Sequence, residues 1–384
     1  MKKRLAILVG VPTPYREPVF ERLAGSSEYE IRVLYCRRRQ ADQQWQMLEK
    51  PYQACFLKNY APAAWVDRLL ISEINPSVWR ELRVFQPEAV IVYGYHTVST
   101  LLAILWAIRG RVPFLLRGDS NPLDEAEKPL LTLWMKRLFL RWLTKRAVGF
   151  LSIGTLNSAY WLEYGASSEK VFMARYAVDN GYFQTQAAAY RGARQRISEE
   201  NGWKQPYLLL YVGRLIPHKR VDVVIEAMRR LSAKRSDIAL LIVGDGVERK
   251  ALEKRAQALP QVFFLGFRDY GVLPKYYGVA DLFVLPSETE PWGLVVNEAM
   301  ASGLPVIATR KVGAAHDLII EGENGYLVRE NDVEAMASAI DHACQSKERL
   351  RALGERAQQS VASWNYDATL EGFHRALDYC FQAK

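Results

Sequence analysis

The chain has 384 residues, of which 49% are hydrophobic and 24% charged, a composition typical of a soluble globular protein with room for two domains. Its longest mostly apolar run, residues 97–108, is too short to cross a bilayer, and nothing in the chain resembles a cleavable signal. The four cysteines show no paired spacing and no zinc pattern with the five histidines. We therefore expect reduced thiols in a cytoplasmic protein without a metal site.

The net charge of +9 lies almost wholly in the first half of the chain. Residues 1–183 hold 25 Lys and Arg against 17 Asp and Glu, a balance of +8, whereas residues 184–384 hold 26 against 25. Such an excess suits anionic lipid head groups, acidic saccharides or nucleic acid. No zinc-finger, helix-turn-helix or RNA-motif signature accompanies it, which disfavours nucleic acid as a partner.

Short apolar runs alternate with stretches of helical periodicity along the chain. In the first half, strands are predicted at residues 5–9, 31–35, 89–93, 113–117, 149–153 and 171–176, with helices at 19–23, 66–70, 79–85 and 101–108. In the second half, strands are predicted at 207–212, 239–243, 262–265, 281–285 and 306–308. Strands that are apolar throughout indicate burial on both faces, and hence parallel sheets covered by helices. We predict an α/β fold with two doubly wound, Rossmann-like domains facing each other across a cleft.

The polar stretch at residues 184–204 has no strand signal and suggests the domain boundary. The predicted domains are residues 1–185 and 186–362, and a C-terminal helix within 363–384 crosses back onto the first domain. Ligands of open α/β sheets bind outside the carboxyl ends of the strands. The cleft between the domains is therefore the expected site.

The segment 286–307 contains two carboxylates, Glu290 and Glu298, in a loop that becomes a helix. Helical spacing runs from Trp292 to Ser302, with Pro291 suited to the first helical position and a glycine after the end. The free amides of a first helical turn favour negative charge, and side chains tilt toward that end. Two hydroxyl-accepting carboxylates beside anion-binding amides fit a nucleotide sugar.

Other strand ends in the second half supply basic and glycine residues. Arg214 follows a strand directly and Lys219 comes five residues later, which suits a diphosphate. The sequence Gly244–Asp–Gly lacks the third glycine of the dinucleotide fingerprint, so a tight turn explains it at least as well as ligand contact. After the next strand, backbone near Phe267 and the side chain of Arg268 are candidates for contact with a nucleobase.

These motifs resemble the GT-B glycosyltransferases of family 4 through residues 205–330. The resemblance rests on the order and spacing of Gly213–Arg–Leu with Lys219, Gly244–Asp–Gly, the strand ending at Gly266, residues 281–287, and Glu290 with Glu298. It implies that Arg214 and Lys219 bind the donor diphosphate, that Glu298 holds the ribose hydroxyls, and that Glu290 contacts the transferred sugar. Amides near Gly293 and Leu294 would meet sugar and phosphate. It also implies retention of anomeric configuration without a metal or a cofactor beyond the donor, a UDP-, GDP- or other nucleotide sugar.

Three loops of the first half supply further candidate residues. Tyr15 and Arg16 lie in a Pro–Thr–Pro–Tyr–Arg variant of the family's first loop, for which an acceptor or cleft-lining role is as well supported as donor binding. The family often places a histidine near the donor sugar, which makes His96 a catalytic candidate. Asp119 follows another strand and either takes an acceptor proton or caps a turn, the latter narrowly favoured.

Residues 128–146 carry Lys and Arg among Leu and Trp in helical spacing. This pattern is typical of a helix packed on a sheet, which we favour, but also of a helix lying on an anionic membrane. The membrane hypothesis remains open.

We predict a hexosyl-type, retaining glycosyltransferase that moves a sugar from a nucleotide sugar to a saccharide or lipid-linked acceptor. Bacterial surface polysaccharide or glycolipid biosynthesis, at the cytoplasmic face of the membrane, is the expected setting. A GT-B nucleotide-sugar epimerase or related enzyme, or a non-catalytic sugar-nucleotide-binding protein, would use the same cleft and stays an alternative. The missing glycine fingerprint argues against a nicotinamide dehydrogenase.

Overall fold

The computed structural model describes residues 2–38, 50–62, 72–125 and 129–382. The chain forms two compact units, an N-terminal unit of residues 1–175 with 366–384 and a C-terminal unit of residues 176–365. The division falls before the boundary expected after residue 185, because the helix Asn180–Gly192 is part of the C-terminal unit. The predicted helix at 66–70 lies outside the described residues.

The N-terminal unit alternates strands with helices. In chain order its elements are β1 (Lys3–Val9), α1 (Glu17–Gly25), β2 (Tyr29–Tyr35), β3 (Gln53–Phe56), α2 (Ser77–Phe85), β4 (Ala89–Tyr93), α3 (Val98–Gly110), β5 (Phe114–Arg117), α4 (Leu130–Thr144), β6 (Gly149–Ser152), α5 (Thr155–Glu163) and β7 (Val171–Met173).

All neighbouring strands of this unit pair in parallel, in the order β3-β2-β1-β4-β5-β6-β7. The order runs outward in both directions from β1 and β4, which is the doubly wound arrangement. Successive residues of β4 from Ala89 to Val92 are fully buried, as expected for a strand covered on both faces. The core also contains Phe150, whose ring centroid lies 4.7 Å from that of the buried Trp161.

The C-terminal unit also alternates strands with helices. Its elements are α6 (Asn180–Gly192), α7 (Arg194–Asn201), β8 (Tyr207–Val212), α8 (Val221–Ser232), β9 (Ile238–Val243), α9 (Arg249–Arg255), β10 (Val262–Gly266), α10 (Leu273–Val279), β11 (Leu282–Leu285), α11 (Leu294–Ala301), β12 (Val306–Thr309), α12 (Ala315–Leu318), β13 (Gly325–Val328), α13 (Val333–Ala343) and α14 (Lys347–Val361).

The second sheet is also parallel throughout, in the order β10-β9-β8-β11-β12-β13. Its winding reverses between β8 and β11. All six residues of β9 are buried, and so is every residue of β11. The prediction of two parallel-sheet α/β domains is confirmed.

The last helix, α15 (Tyr366–Gln382), is part of the N-terminal unit. A Cβ added at Gly372 would lie 2.1 Å from the Met173 carbonyl oxygen, so the helix packs directly against the backbone at the end of β7. The Thr369 hydroxyl donates to the Arg175 carbonyl at 2.7 Å, and the ring of the buried Phe373 lies 5.1 Å from the Arg117 guanidinium. None of the helices in the described parts of the chain is long and apolar enough to span a bilayer.

Candidate functional site

The strand order of the C-terminal unit places a crevice at the carboxyl ends of β8 and β11. These strands are neighbours at the point where the winding reverses, so the loops that follow them leave in opposite directions. The loop after β8 carries Gly213, Arg214 and Lys219, and the loop after β11 carries Glu290. The fold thus brings together two groups that are 71 residues apart in the chain.

Lys219 and Glu290 form an ion pair in this crevice, in which the ammonium donates a hydrogen bond to the carboxylate. Only 14% of each side chain is exposed. Burial and the neighbouring Arg214 lower the pKa of Lys219 to about 8, whereas the carboxylate in contact favours the charged ammonium. The pair offers an ammonium donor for an anion and a carboxylate acceptor for hydroxyl groups.

Backbone hydrogen bonds from the segment after β12 hold Glu290 in place. The Glu290 amide donates to the Lys311 carbonyl at 3.1 Å, and the Gly313 amide donates to the Glu290 carbonyl at 2.9 Å. A Cβ on Gly313 would lie 2.0 Å from the Pro291 carbonyl oxygen, so only glycine fits. Sequence reasoning missed this support, although a glycine soon after a buried strand was the available signal.

The expected start of the helix after Glu290, at Pro291 or Trp292, is too early by two to three residues. The helix α11 begins at Leu294, and Gly293 precedes it with a φ of +92°, so Pro291 is not the first helical residue. The Trp292 indole is turned inward, where it donates to Asn297 Oδ1 at 2.9 Å and stacks on Trp364 at 4.9 Å between ring centroids. Because these contacts hold the Trp292 ring in the interior, the helix begins only after Gly293.

The first turn of α11 still directs backbone N–H groups out of the helix beside Glu290. The amides of Leu294 and Val295 belong to the four that an α-helix leaves without intrahelical acceptors, and the macrodipole adds positive potential there. The far end is as predicted, since Gly303 follows the helix with a φ of +80°.

Glu298 is buried rather than open at the mouth of the crevice. It is 5% exposed, and its carboxylate accepts a hydrogen bond from the Tyr277 hydroxyl of α10 at 2.7 Å. Burial raises the pKa of Glu298 to about 7. Sequence reasoning gave no hint of Tyr277, because the partner comes from a different helix 21 residues earlier.

Gly244 holds the loops after β8 and β9 against each other. A Cβ at this position would lie 1.8 Å from the Gly213 carbonyl oxygen. The Leu215 amide donates to the Asp245 carbonyl at 2.9 Å, and the Glu248 amide returns a bond to the Leu215 carbonyl at 2.9 Å. These contacts fix the segment that carries Arg214 and Lys219, so they support the turn interpretation of the Gly244–Asp–Gly motif.

Phe267 and Arg268 follow β10, two strands away from β8 at the edge of the sheet. The Phe267 side chain is 38% exposed. Arg268 Nε donates to the Tyr276 hydroxyl at 2.8 Å, which ties this loop to α10. The structure therefore does not place either residue in contact with the Lys219–Glu290 pair.

In the N-terminal unit, the predicted residues follow β1, β4 and β5 at the carboxyl edge of that sheet. The Arg16 guanidinium lies 5.6 Å from the centroid of the Tyr15 ring and 5.3 Å from that of Tyr93, so it links the loop after β1 to the end of β4. The winding of this sheet reverses between the same two strands. His96 and Asp119 are both exposed in the loops that follow β4 and β5.

A buried carboxylate at the same edge escaped the sequence reasoning. Glu73 is 6% exposed, and its Oε1 lies 3.4 Å from Arg37 Nε. A Cβ on Gly10 would come within 2.7 Å of that oxygen, so the glycine after β1 makes room for the carboxylate. The position of Gly10 was the signal that could have found it.

Comparisons with known proteins concern the fold and the sequence of the C-terminal unit. Residues 193–360 match the family model described as Glycosyl transferases group 1. The chain is 33% identical over 182 residues to the sulfoquinovosyl transferase of Arabidopsis thaliana, covering 47% of this chain and 34% of that protein. It is 32% identical over 185 residues to the GDP-mannose-dependent alpha-(1-6)-phosphatidylinositol monomannoside mannosyltransferase of Mycolicibacterium smegmatis, covering 45% and 48%. The chain thus spans between about a third and about half of the length of these two relatives.

Among solved structures, Anabaena HepE in complex with UDP and glucose is similar with a TM-score of 0.74 at 17% identity, covering 98% of this chain and 99% of that one. At this identity the likeness concerns the fold, which is the GT-B fold of two parallel-sheet α/β domains. The expected GT-B fold is confirmed, and residues 193–360 are similar to the glycosyl transferases group 1 family. Glycosyl transfer by the whole chain stays a proposal. Membership of family 4 and retention of configuration stay predictions.

Proposed function

We propose that the protein is a retaining, hexosyl-type glycosyltransferase that uses a nucleotide sugar as donor. The observation that carries this proposal is the Lys219–Glu290 pair beside the first turn of α11. A cation and helix amides suit a diphosphate, and a carboxylate suits sugar hydroxyls. A bound donor would place itself between the two charges and replace their direct contact.

In the proposed reaction, the bond from the anomeric carbon to the diphosphate oxygen breaks while a bond to the acceptor oxygen forms. Negative charge develops on the departing diphosphate, where Arg214, Lys219 and the amides of Leu294 and Val295 would stabilise it. The acceptor proton would pass to the departing phosphate on the same face of the sugar. Retention follows from this same-face displacement.

Glu298 is proposed to hold the ribose of the donor. Its carboxyl group has a pKa of about 7, so near neutral pH it is partly protonated and able both to donate to and to accept from hydroxyl groups. Gly213 and Gly244 would contribute by shaping the loop around the phosphates. Phe267 and Arg268 remain candidates for contact with the base.

The acceptor is proposed to be a saccharide or a lipid-linked saccharide bound by the N-terminal unit, with Tyr15, Arg16 and Asp119 as candidate contacts. His96 is proposed to act near the transferred sugar of the donor. One relative acts on phosphatidylinositol monomannoside and uses GDP-mannose, while HepE was solved with UDP and glucose. These names support a sugar acceptor and leave the base of the donor to experiment. We place the enzyme in bacterial surface polysaccharide or glycolipid assembly, at the cytoplasmic face of the membrane.

A panel of UDP and GDP sugars, incubated with and without lipid-linked saccharides, tests the proposal. We expect one donor to raise the melting temperature and to release its nucleotide only when an acceptor is present. Analysis of the products separates the alternatives, because an epimerase converts the donor without an acceptor. Donor binding without any turnover across a broad acceptor panel would instead indicate a sugar-nucleotide-binding protein.

A further inference from the structure

Helix α4 of the N-terminal unit presents large apolar side chains to solvent over its first nine residues. The exposed fractions are 85% for Leu130, 69% for Leu131, 59% for Trp134, 59% for Met135 and 51% for Leu138. Single exposed apolar residues are ordinary on protein surfaces, but a contiguous group of five marks an interaction site.

The exposed group lies opposite the face by which α4 packs on its own unit. Leu140, Leu143 and Thr144 are buried. At 100° per residue, Leu131 and Leu138 point away from the direction of Leu140 and Leu143. The helix is therefore apolar on two sides, and only one of them is covered by the described parts of the chain. The favoured expectation of a packed helix describes the covered side of α4 only, and the fully buried residues all lie in its second half.

Basic residues flank the exposed apolar group. Arg137, Arg141 and Lys145 are spaced four residues apart along the exposed side. The sequence contains no Asp or Glu from residue 128 to residue 162. A surface that binds another protein usually carries charges of both signs. A surface that binds an anionic bilayer carries apolar and aromatic side chains bordered by Lys and Arg.

We propose that α4 docks on the surface of an anionic lipid bilayer. Leu131, Trp134 and Leu138 enter the boundary between head groups and acyl chains, while Arg141 and Lys145 lie at the lipid phosphates. The helix lies in the plane of the membrane, because its buried face stays on the sheet. This proposal is independent of the sugar-transfer proposal, since docking needs neither donor nor turnover.

Flotation of the full chain with phosphatidylcholine vesicles, with and without phosphatidylglycerol, tests this surface. Wild type should float only with the anionic vesicles. The double variant Leu131→Glu/Leu138→Glu should lose at least tenfold in bound fraction, and Arg141→Gln about fivefold. Leu105→Glu is the matched control, because Leu105 is 47% exposed on α3 and should float like wild type.

Circular dichroism and melting temperature establish that each variant is folded, as expected for substitutions at exposed positions. Binding that ignores phosphatidylglycerol, or that survives the double substitution, would overturn the proposal. A second outcome would also overturn it: the protein does not float, sedimentation shows a dimer, and Leu138→Glu dissociates that dimer. The exposed face of α4 would then pair with a second copy of the chain.

Discussion

Lys219 and Glu290 lie in contact at the carboxyl edge of the C-terminal sheet, with 14% of each side chain exposed. Removal of water from this pair strengthens every charge interaction around it. The contact between the ammonium and the carboxylate also offsets part of the cost of burying both charges. The same two groups are then available to a ligand that carries both a diphosphate and hydroxyl groups.

Replacement of either partner should strongly reduce sugar transfer while the protein stays folded. For Lys219→Ala and Glu290→Ala we expect turnover to fall by about 10²–10³-fold, because each removes one electrostatic contact to the reacting donor. Nucleotide release in the presence of acceptor measures the effect. Lys250→Ala is the matched control, since Lys250 is exposed on α9. Near-normal turnover in both Lys219→Ala and Glu290→Ala would remove these residues from the proposed mechanism.

Glu298 makes the stability of the C-terminal unit depend on pH. Its pKa is raised from 4.5 to about 7 by burial, so the folded protein holds a proton that the unfolded chain releases above pH 4.5. The free energy of unfolding should therefore fall as pH rises from about 5 to 7, by roughly 3 kcal/mol at most, and then level off.

Glu298→Gln removes this titration and keeps an oxygen that accepts from Tyr277. Scanning calorimetry from pH 5 to pH 8 should show wild type losing melting temperature relative to the variant across that range. Parallel pH curves for the two proteins would show that Glu298 titrates with an ordinary carboxyl pKa.

At the scale of elements, the segment at 311–314 supports the catalytic candidate Glu290 through backbone contacts alone. Because a Cβ on Gly313 would lie 2.0 Å from the Pro291 carbonyl, Gly313→Ala must displace the Pro291 backbone. We expect a loss of 1–3 kcal/mol in the free energy of unfolding and at least tenfold weaker donor binding. Gly192→Ala is the control, because its Cβ would meet nothing within 4 Å at the end of a helix.

Urea unfolding and a donor titration on both glycine variants provide the measurement. The Gly192→Ala protein should match or exceed wild type in stability, since alanine favours a helix more than glycine does. If Gly313→Ala bound donor as wild type does, the support that this segment gives to Glu290 would be irrelevant to the site.

Most strands in the interior of the two sheets were predictable from the sequence, because each is a continuous apolar run. The edge strands β3 (QACF) and β13 (GYLV) were not predicted, because these short runs mix a polar residue or a glycine with apolar residues and show no continuous apolar pattern. The start of α11 was also mispredicted. Pro291 and Trp292 have the composition of a first turn, but the tertiary contact of Trp292 with Trp364, 72 positions later, decides where the helix begins.

The candidate site was also predictable only in part. Arg214, Lys219 and Glu290 were found because they follow apolar strands, and parallel strands end at one edge. Three features of the sites depend on packing between distant segments. They are the contact between Lys219 and Glu290, the burial of Glu298 against Tyr277, and the close approach of the Glu73 carboxylate to Gly10. Local sequence contains no signal for such contacts.

At the scale of the whole molecule, the chain begins the N-terminal unit and returns to complete it with α15. The buried Phe373 packs beside Arg117, and Gly372 meets the backbone at the end of β7. Phe373→Ala should therefore destabilise the N-terminal unit by about 3–5 kcal/mol. Hydrogen exchange should show faster exchange in β5 to β7, with β8 to β13 unchanged. Equal loss of protection in both sheets would contradict the assignment of α15 to one unit.

The central claim is that the crevice after β8 and β11 binds the diphosphate of a nucleotide sugar. Calorimetric titration of UDP and GDP sugars into wild type, Lys219→Ala and Lys250→Ala tests it most directly. We expect one donor to bind wild type and Lys250→Ala with equal affinity and Lys219→Ala at least tenfold more weakly, because Lys219→Ala loses a charged hydrogen bond to phosphate. Equal affinity for all three proteins would contradict it.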